Sequence, residues 1–238
     1  MDRHFADSDA LCRSVRESSG ATVLLSFSCG KDSIAAWLRV RPLFERVVPF
    51  YLELVPGLEF VEESLSHYER FFGQPIMRLP HPGFARMLRG LVFQPPERCA
   101  AIEGVEIPAL TYEQIEAHVR RTADAPDAYV AIGTRTADSP IRLANVRKFG
   151  SANHRRKSFF AIYDWRIAQL CDCLRDAQVK LPVDYEMFGR SFDGVDYRFL
   201  LPIRDRFPRD YARIIEWFPM AELEIARRDF AARRKAAA

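Results

Sequence analysis

The chain has 238 residues, of which 48% are hydrophobic and 28% are charged, a balance that is usual for a soluble globular protein. This length accommodates one sizeable domain with a smaller appendage, and no apolar run is long enough to cross a bilayer. The net charge of +3 is too small to require a nucleic-acid partner. Because the first seven residues lack the basic and apolar blocks of a secretory signal, we expect a cytoplasmic protein without membrane contact.

The cysteines are odd in number and scattered along the chain, which argues against a disulfide framework. They contain no C-x-x-C pair, so we expect neither a zinc site nor an iron–sulfur cluster. Two of them lie two residues apart in a predicted helix, where their side chains point to different faces and are poorly placed to bind one metal. The five cysteines are Cys12, Cys29, Cys99, Cys171 and Cys173.

Strand and helix patterns alternate over the first 130 residues, after a polar helix that ends near Gly20. The predicted strands are 22–27, 47–52, 75–79 and 128–132, and the predicted helices between them are 33–40, 59–72 and 112–121. A proline-rich stretch, 80–108, is predicted to be a loop that covers the site. This alternation predicts a doubly wound, Rossmann-like parallel sheet, whose ligands bind at the carboxyl edge of the strands.

The chain after residue 158 is predicted to be mostly helical, with helices at 162–175, 211–218 and 221–234 and an irregular aromatic segment at 185–208. We therefore divide the chain into an α/β core, residues 1–160, and a helical C-terminal extension, residues 161–238. The extension is expected to pack on the core rather than to fold independently.

The segment after the first predicted strand, Ser28–Ser33, has the sequence S-C-G-K-D-S and leads directly into a helix. A helix N-terminus presents unpaired N–H groups and a partial positive charge, so it favours anions. The small residues let phosphate oxygens approach the backbone, and Gly30 can supply a positive φ if the turn needs one. Lys31 adds a positive charge, whereas Asp32 would repel phosphate unless it caps the helix or helps hold Mg²⁺. The spacing therefore predicts a phosphate-binding loop.

A second group of charged residues follows the fourth predicted strand, in the segment Gly133–Arg142. Gly133 lets the backbone approach a ligand at the strand end. Arg135 and Arg142 carry planar guanidinium groups that match phosphate or sulfate oxygens. Both segments follow strands of one predicted sheet, so we expect them to meet at its carboxyl edge.

The first segment is not a Walker loop, because no G-x-x-x-x-G-K-[ST] pattern occurs. It resembles the S-G-G-K-D-S signature of the PP-loop ATP pyrophosphatases, with Cys29 at the position of the first glycine. The second segment resembles the G-x-R-x-x-[DE]-S-x-x-R motif of the phosphoadenosine-phosphosulfate (PAPS) reductase branch of that superfamily. Two weaker similarities are Gly57–Phe60, similar to T-G-x-E-F with Pro56 in place of the threonine, and Ile162–Trp165, similar to P-[IL]-x-D-W.

The resemblance implies a Rossmann-like fold of the adenine nucleotide alpha-hydrolase type. It also implies an enzyme that cleaves ATP between the α- and β-phosphates, adenylates an acceptor and releases pyrophosphate. ATP and Mg²⁺ are the implied cofactors, with Asp32 as the metal-linked residue. The residues assigned to catalysis are Lys31, Asp32, Arg135 and Arg142. The residues assigned to ATP and its phosphates are Ser26, Ser28, Cys29, Gly30, Lys31, Asp32, Ser33, Gly133 and Thr134. The residues assigned to the acceptor are Asp138, Ser139, Arg147, Lys148 and Arg190.

One departure from the family bears on the reaction. PAPS reductases carry a C-terminal Glu-Cys-Gly segment whose thiolate attacks sulfur, whereas the last cysteine here is Cys173. Without such a thiolate the reductive step lacks its nucleophile, so sulfonucleotide reduction is the less favoured alternative. A non-catalytic nucleotide-binding module is another alternative.

The segment 142–157 contains no acidic residue, and its cations are Arg142, Arg147, Lys148, Arg155, Arg156 and Lys157. Such a run is either a solvated surface or a local field that attracts anions. The acceptor is left open between a nucleic-acid base, a sulfur-transfer intermediate, a protein that binds this segment, and a small metabolite. A homo-oligomer is left open as well.

Overall fold

The computed structural model of the protein describes residues 5–236. Met1–His4 lie outside the described residues. The predicted polar helix and the N-terminal segment that lacks the features of a secretory signal both begin with these residues. The strands are β1 Thr22–Phe27, β2 Arg46–Glu53, β3 Met77–Pro80, β4 Val130–Ile132, β5 Ala152–Asn153 and β6 Ser158–Phe160. The α-helices of the described part are α1 Ser8–Ser19, α2 Lys31–Val40, α3 Glu59–Phe72, α4 Pro82–Arg89, α5 Pro96–Glu103, α6 Tyr112–Thr122, α7 Pro140–Phe149, α8 Ile167–Asp176, α9 Val183–Phe188, α10 Tyr197–Arg206, α11 Pro208–Trp217 and α12 Glu222–Ala236.

The strands form one sheet in the order β3-β2-β1-β4-β6-β5. β1 pairs in parallel with β2 and with β4, and β4 pairs in parallel with β6. β5 is antiparallel to β6. With helices between the parallel strands, this arrangement confirms the predicted doubly wound α/β fold.

The order of the strands places a topological switch point between β1 and β4. The chain moves outward from β1 through β2 to β3, and then returns to the other side of β1 as β4. Ser26 near the end of β1 pairs with Ile132 at the end of β4. The loops that leave these two strands therefore start side by side at the carboxyl edge, where open α/β sheets bind ligands.

The chain forms two compact units, each assembled from three segments. The first contains the chain up to Leu52, Tyr68–Leu79 and Tyr112–Leu181, and the second contains Glu53–His67, Pro80–Thr111 and the chain from Pro182 onward. The sheet belongs to the first unit apart from Glu53 and Pro80, the last residues of β2 and β3. The predicted division at residue 160 stays a prediction.

The core of the first unit surrounds β1 and α2. Val23, Leu24 and Leu25 are fully buried, as expected for a parallel strand that is covered on both faces. Trp37 of α2 stacks on Phe72 with 3.8 Å between ring centroids. Because the strand and the helix are both held by this packing, the short loop between them has fixed ends.

The core of the second unit is aromatic. The rings of Phe60 and Phe192, and those of Phe192 and Phe199, lie 5.5 Å apart between centroids in edge-to-face geometry. The buried carboxylate of Asp210 accepts hydrogen bonds from the N–H groups of Glu59 at 2.7 Å and Phe60 at 3.1 Å. It thereby caps the N-terminus of α3, the role for which aspartate is favoured.

Three predictions of secondary structure are wrong, and three elements, α7, β5 and β6, were not predicted. The expected loop at 80–108 contains α4 and α5, each of which begins with a proline and is followed by a glycine. Proline suits the first helical turn because its missing N–H has no helical partner there. The expected irregular segment at 185–208 contains most of α9 and all of α10. α8 begins five residues later than predicted.

Among residues 5–236, no helix is long and apolar enough to span a bilayer.

Candidate functional site

Two serine hydroxyls organise the loop between β1 and α2. Ser28 Oγ lies 3.1 Å from Ser33 Oγ, which also accepts the N–H of Ser28 at 3.1 Å and donates to the carbonyl of Gly30 at 2.9 Å. α2 starts at Lys31, and no side chain caps it at Gly30. The loop before the helix is therefore held in shape by its own hydrogen bonds. This arrangement leaves the helix N-terminus open to an incoming anion.

The positive φ in this loop belongs to Cys29 and not to Gly30. Cys29 has φ +55°, whereas Gly30 has φ −77°. The turn does need a positive φ, but the expectation that Gly30 supplies it is wrong. The left-handed conformation falls on the position where the resembling signature has glycine, and in a residue with a Cβ it costs about 1–2 kcal/mol. Cys29 is buried.

Gly133, at the end of β4, lies directly against the start of α2. A Cβ added to Gly133 would lie 2.6 Å from the carbonyl carbon and oxygen of Asp32 and 2.8 Å from the nitrogen of Ser33. These distances are shorter than any ordinary nonbonded contact, so a side chain cannot fit without a backbone shift. The glycine thus permits the close approach of the two motif segments.

Alternating charges join the two segments into one ladder. Asp32 accepts from Lys31 Nζ through Oδ2 at 2.6 Å and from Arg135 Nε through Oδ1 at 2.6 Å. Arg135 Nη2 also donates to Asp138 Oδ1 at 2.6 Å, and Arg142 Nη1 lies 3.1 Å from Asp138 Oδ2. The ladder has three cations and two carboxylates, so it carries one net positive charge.

Burial differs strongly along the ladder. The side chain of Arg135 is 4% exposed, those of Asp32 and Asp138 about a quarter, and that of Arg142 50%. A buried guanidinium is tolerated only when carboxylates satisfy it, and here two do so. Arg135 is therefore held in place between the carboxylates of Asp32 and Asp138, whereas the side chain of Arg142 can reach a ligand.

The other predicted site residues have several locations. Ser26 lies in β1 and Thr134 is half-buried after β4. Ser139 caps α7, because its Oγ accepts the N–H of Ile141 at 3.2 Å. Arg147 and Lys148 lie in the last turn of α7, and Arg190 belongs to the second unit, where it pairs with Asp193.

Half of the cations in the segment 142–157 are paired with carboxylates from other parts of the chain. Besides Arg142, Arg156 pairs with the buried Glu116 at 2.6 Å, and Lys157 pairs with Asp127 at 2.8 Å. These bonds raise the pKa of Arg156 and lower that of Asp127. For these three cations, the hypothesis of a run without counter-charges is wrong. Arg147, Lys148 and Arg155 have no acidic partner among the residues that the structure describes.

A cavity of about 490 Å³ lies beside this segment, between the end of α7 and the β5–β6 hairpin. Its lining includes Asn145, Phe149 and Asn153, none of which was predicted to be functional. The sequence pattern contains no clear signal for it, because β5 and β6 are only two and three residues long.

Asp32 is the acidic residue of the Ser28–Ser33 loop and the one that could bind the implied Mg²⁺. Among residues 5–236, no three or more His, Cys, Asp or Glu side chains form a group that could hold a metal. Mg²⁺ in nucleotide sites is usually bound by one or two carboxylates together with substrate phosphates. One oxygen of Asp32 is bonded to Arg135, so the oxygen that contacts Lys31 is the one that suits a metal brought by ATP.

No family model and no curated protein matches the chain. Among solved structures, it is similar to the NH3-dependent NAD synthetase from Campylobacter jejuni subsp. jejuni NCTC 11168 in complex with the nitrate ion. The sequence identity is 11%, the TM-score is 0.46, and the match covers 94% of this chain and 92% of that chain. Such a distant similarity has no bearing on the chemistry of this chain.

Proposed function

We propose that this protein is an ATP-binding enzyme of the PP-loop type, which cleaves ATP between the α- and β-phosphates and adenylates an acceptor. The observation that carries the proposal is the junction of the two motif segments at the switch point. There Gly133 lies against the backbone of Asp32, and Arg135 is bonded to the carboxylate of Asp32 at 2.6 Å. An accidental sequence match would not require the second segment to pack on the first.

The β1–α2 loop supplies the binding groups for the β- and γ-phosphates in this proposal. The serine hydroxyls of Ser28 and Ser33 and the backbone at Gly30 surround the N-terminus of α2, whose dipole favours negative charge. Lys31 would exchange its contact with Asp32 for a phosphate oxygen, a stronger anion. The resulting interactions neutralise charge on the pyrophosphate that leaves.

The proposed reaction is a substitution at the α-phosphorus. An oxygen of the acceptor forms a bond to the α-phosphorus while the bond from that phosphorus to the α,β-bridging oxygen breaks. The electron pair leaves with pyrophosphate, and the acceptor hydroxyl releases its proton to solvent. Arg142 is assigned to the α-phosphate or the acceptor, and Arg135 is a positioning residue that fixes Asp32 and Asp138. Positioning and charge neutralisation account for most catalysis of this kind.

Mg²⁺, when bound with ATP, supplies further neutralisation of the phosphate charge. Asp32 is the residue proposed to hold it. The carboxylate fits that role because Arg135 fixes its orientation from one side, while the Oδ2 atom contacts the partly exposed Lys31.

Sulfonucleotide reduction is disfavoured by the effect of burial on two of the five thiols as well as by the sequence. Burial raises the pKa of Cys12 to about 12, and burial also raises the pKa of Cys173. Neither thiol is therefore a ready nucleophile at neutral pH, because the thiolate is the reactive form.

The proposal is tested by incubating the protein with ATP labelled at the α- and γ-positions, with and without pools of acceptor. We expect pyrophosphate together with AMP or an adenylated product. Lys31→Ala should reduce pyrophosphate release by at least about 100-fold, as for the loss of one charge-stabilising group. The matched control is Lys180→Ala, which removes an exposed lysine from outside the site and should retain full activity. Release of ADP instead, or normal turnover by Lys31→Ala, would contradict the proposal, and ATP binding without turnover would favour a non-catalytic module.

A further inference from the structure

The cavity between α7 and the β5–β6 hairpin has the size and lining of a ligand site. Its volume of about 490 Å³ is within the usual range for small-ligand pockets. The lining combines the amide side chains of Asn145 and Asn153, the ring of Phe149 and the guanidinium of Arg155. Amides can pair with the edge of a nucleobase, an aromatic ring can stack on its face, and a guanidinium can bind a phosphate.

The aromatic and cationic groups of this cavity are accessible. Phe149 is 57% exposed, with Lys148 Nζ 5.1 Å from its ring centroid. Arg155 is exposed and has no acidic partner in the described part of the chain. His154, which also lines the cavity, is held by the hydroxyl of Tyr129 at 3.0 Å from its Nδ1. The lining thus contains one ring that is held in place and, exposed to solvent, an aromatic ring and a guanidinium group.

The positive charge extends beyond the cavity along α7. Within α7, whose residues are all described, Val146 alone is buried, and the exposed Arg147 and Lys148 do not line the cavity. A mononucleotide in the cavity would leave these two cations without anions. A polynucleotide would place a further phosphate near Lys148, which lies beside the ring of Phe149, so the charge distribution favours a chain of nucleotides over a single one.

The same helix connects the cavity to the charge ladder. Arg142 of the ladder and Asn145 of the cavity are three residues apart, and positions i and i+3 share one face of a helix. Phe149 lies seven residues from Arg142, which corresponds to a rise of about 10 Å. A ligand in the cavity therefore lies within the length of a nucleotide or two from Arg142.

We propose that this cavity binds one nucleotide of a single-stranded nucleic acid, which is the acceptor of the adenylyl group. The base stacks on Phe149 and is read by the amide of Asn145 and by the NH2 group of Asn153, whose Oδ1 accepts the N–H of Arg156 at 3.0 Å. Arg155 and Lys148 bind the flanking phosphates. A single strand is required because a base inside a duplex cannot enter a cavity without leaving its stack. This inference rests on the proposed function for the adenylation step, but binding of the strand does not require that step.

The test is fluorescence anisotropy of the full chain with labelled oligonucleotides of about 15 nucleotides, without ATP. Single-stranded RNA, single-stranded DNA and duplex DNA of one sequence are compared. We expect a single strand to bind more tightly than the duplex, and the preferred single strand identifies the polymer. Phe149→Ala should weaken this binding at least about 5-fold, the usual effect of losing one stacking ring. Arg155→Ala should reduce the salt dependence by about 0.7 in log–log slope, as for one phosphate contact.

Two controls separate this inference from the proposed function. Phe230→Ala removes another exposed ring, on α12, and should leave binding within about 2-fold of the original. Lys31→Ala should bind the strand normally even though it fails to release pyrophosphate. No binding of single strands at about 50 mM salt, or equal binding by Phe149→Ala and the original chain, would overturn the inference and leave the ATP chemistry intact. Normal strand binding with no pyrophosphate release from the original chain would instead overturn the proposed function alone.

Discussion

Replacing Gly133 with alanine adds one methyl group at the junction of the two motif segments. The new Cβ would lie 2.6 Å from the carbonyl carbon and oxygen of Asp32, about 0.8 Å closer than the 3.4 Å at which ordinary contact begins. Both neighbours are backbone atoms at the start of α2, so they cannot rotate away as a side chain can. The β4 loop or the helix must therefore move by most of 1 Å.

This displacement has two expected consequences. Overpacking of a close contact typically lowers the free energy of unfolding by about 1–3 kcal/mol. A shift near 1 Å in a catalytic site typically lowers the rate by about 100-fold. We therefore expect Gly133→Ala to remain folded, to unfold at lower urea concentration and to release pyrophosphate about 100-fold more slowly.

The matched control is Gly104→Ala. A Cβ at Gly104 would lie 3.4 Å from the nearest atom, an ordinary contact, and Gly104 has φ −72°, which alanine readily adopts. This variant should be unchanged or slightly more stable, because alanine restricts the unfolded chain. If Gly133→Ala retained both the stability and the pyrophosphate release of the original chain, the close approach of the two segments would have no role.

Two further predictions concern conformation and ionisation. Since Cys29 has φ +55°, Cys29→Gly should be more stable than Cys29→Ala by about 1 kcal/mol in urea denaturation, because both lose the thiol and only glycine relieves the left-handed backbone. Burial raises the pKa of Asp184 to about 6 from an ordinary value of 3.8. Between these values the folded chain holds a proton that the unfolded chain has lost, so the contribution of Asp184 to stability should fall by about 3 kcal/mol as the pH rises from 3 to 7, and Asp184→Asn should abolish this fall. Equal stability of the two Cys29 variants, or an unchanged pH profile in Asp184→Asn beside the exposed control Asp172→Asn, would refute the respective argument.

Elements with a strong local pattern could be predicted from the sequence. β1 and α3 have the predicted bounds, because a continuous apolar run and a regular helical period each extend over the whole element. β5 and β6 are too short to have any period, and they form a hairpin only because β6 adds to the edge of β4. α4 and α5 were predicted as loop because their prolines lie at first helical positions, where proline begins a helix.

In the candidate site, too, the local features could be predicted from the sequence and the long-range contacts could not. The two motif segments and their place after strands followed from the sequence, since spacing and residue size are local properties. Their contact did not, because Asp32 and Arg135 are 103 residues apart and meet only when β4 lies next to β1. The left-handed Cys29 was also unforeseen, since the glycine beside it was the natural candidate for that conformation.

By itself, the sequence determined an alternating α/β chain with a small-residue loop suited to phosphate and two arginines after a later strand. The tertiary structure decided which charged side chains are paired within the protein and which can contact a ligand. It buried Arg135 between two carboxylates, paired Arg156 and Lys157 with distant acids, and left Arg147, Lys148 and Arg155 without acidic partners in the described part of the chain. The physical reason is that hydrophobic periodicity and backbone preference act between near neighbours. Burial and ion pairing depend on residues that only folding brings together.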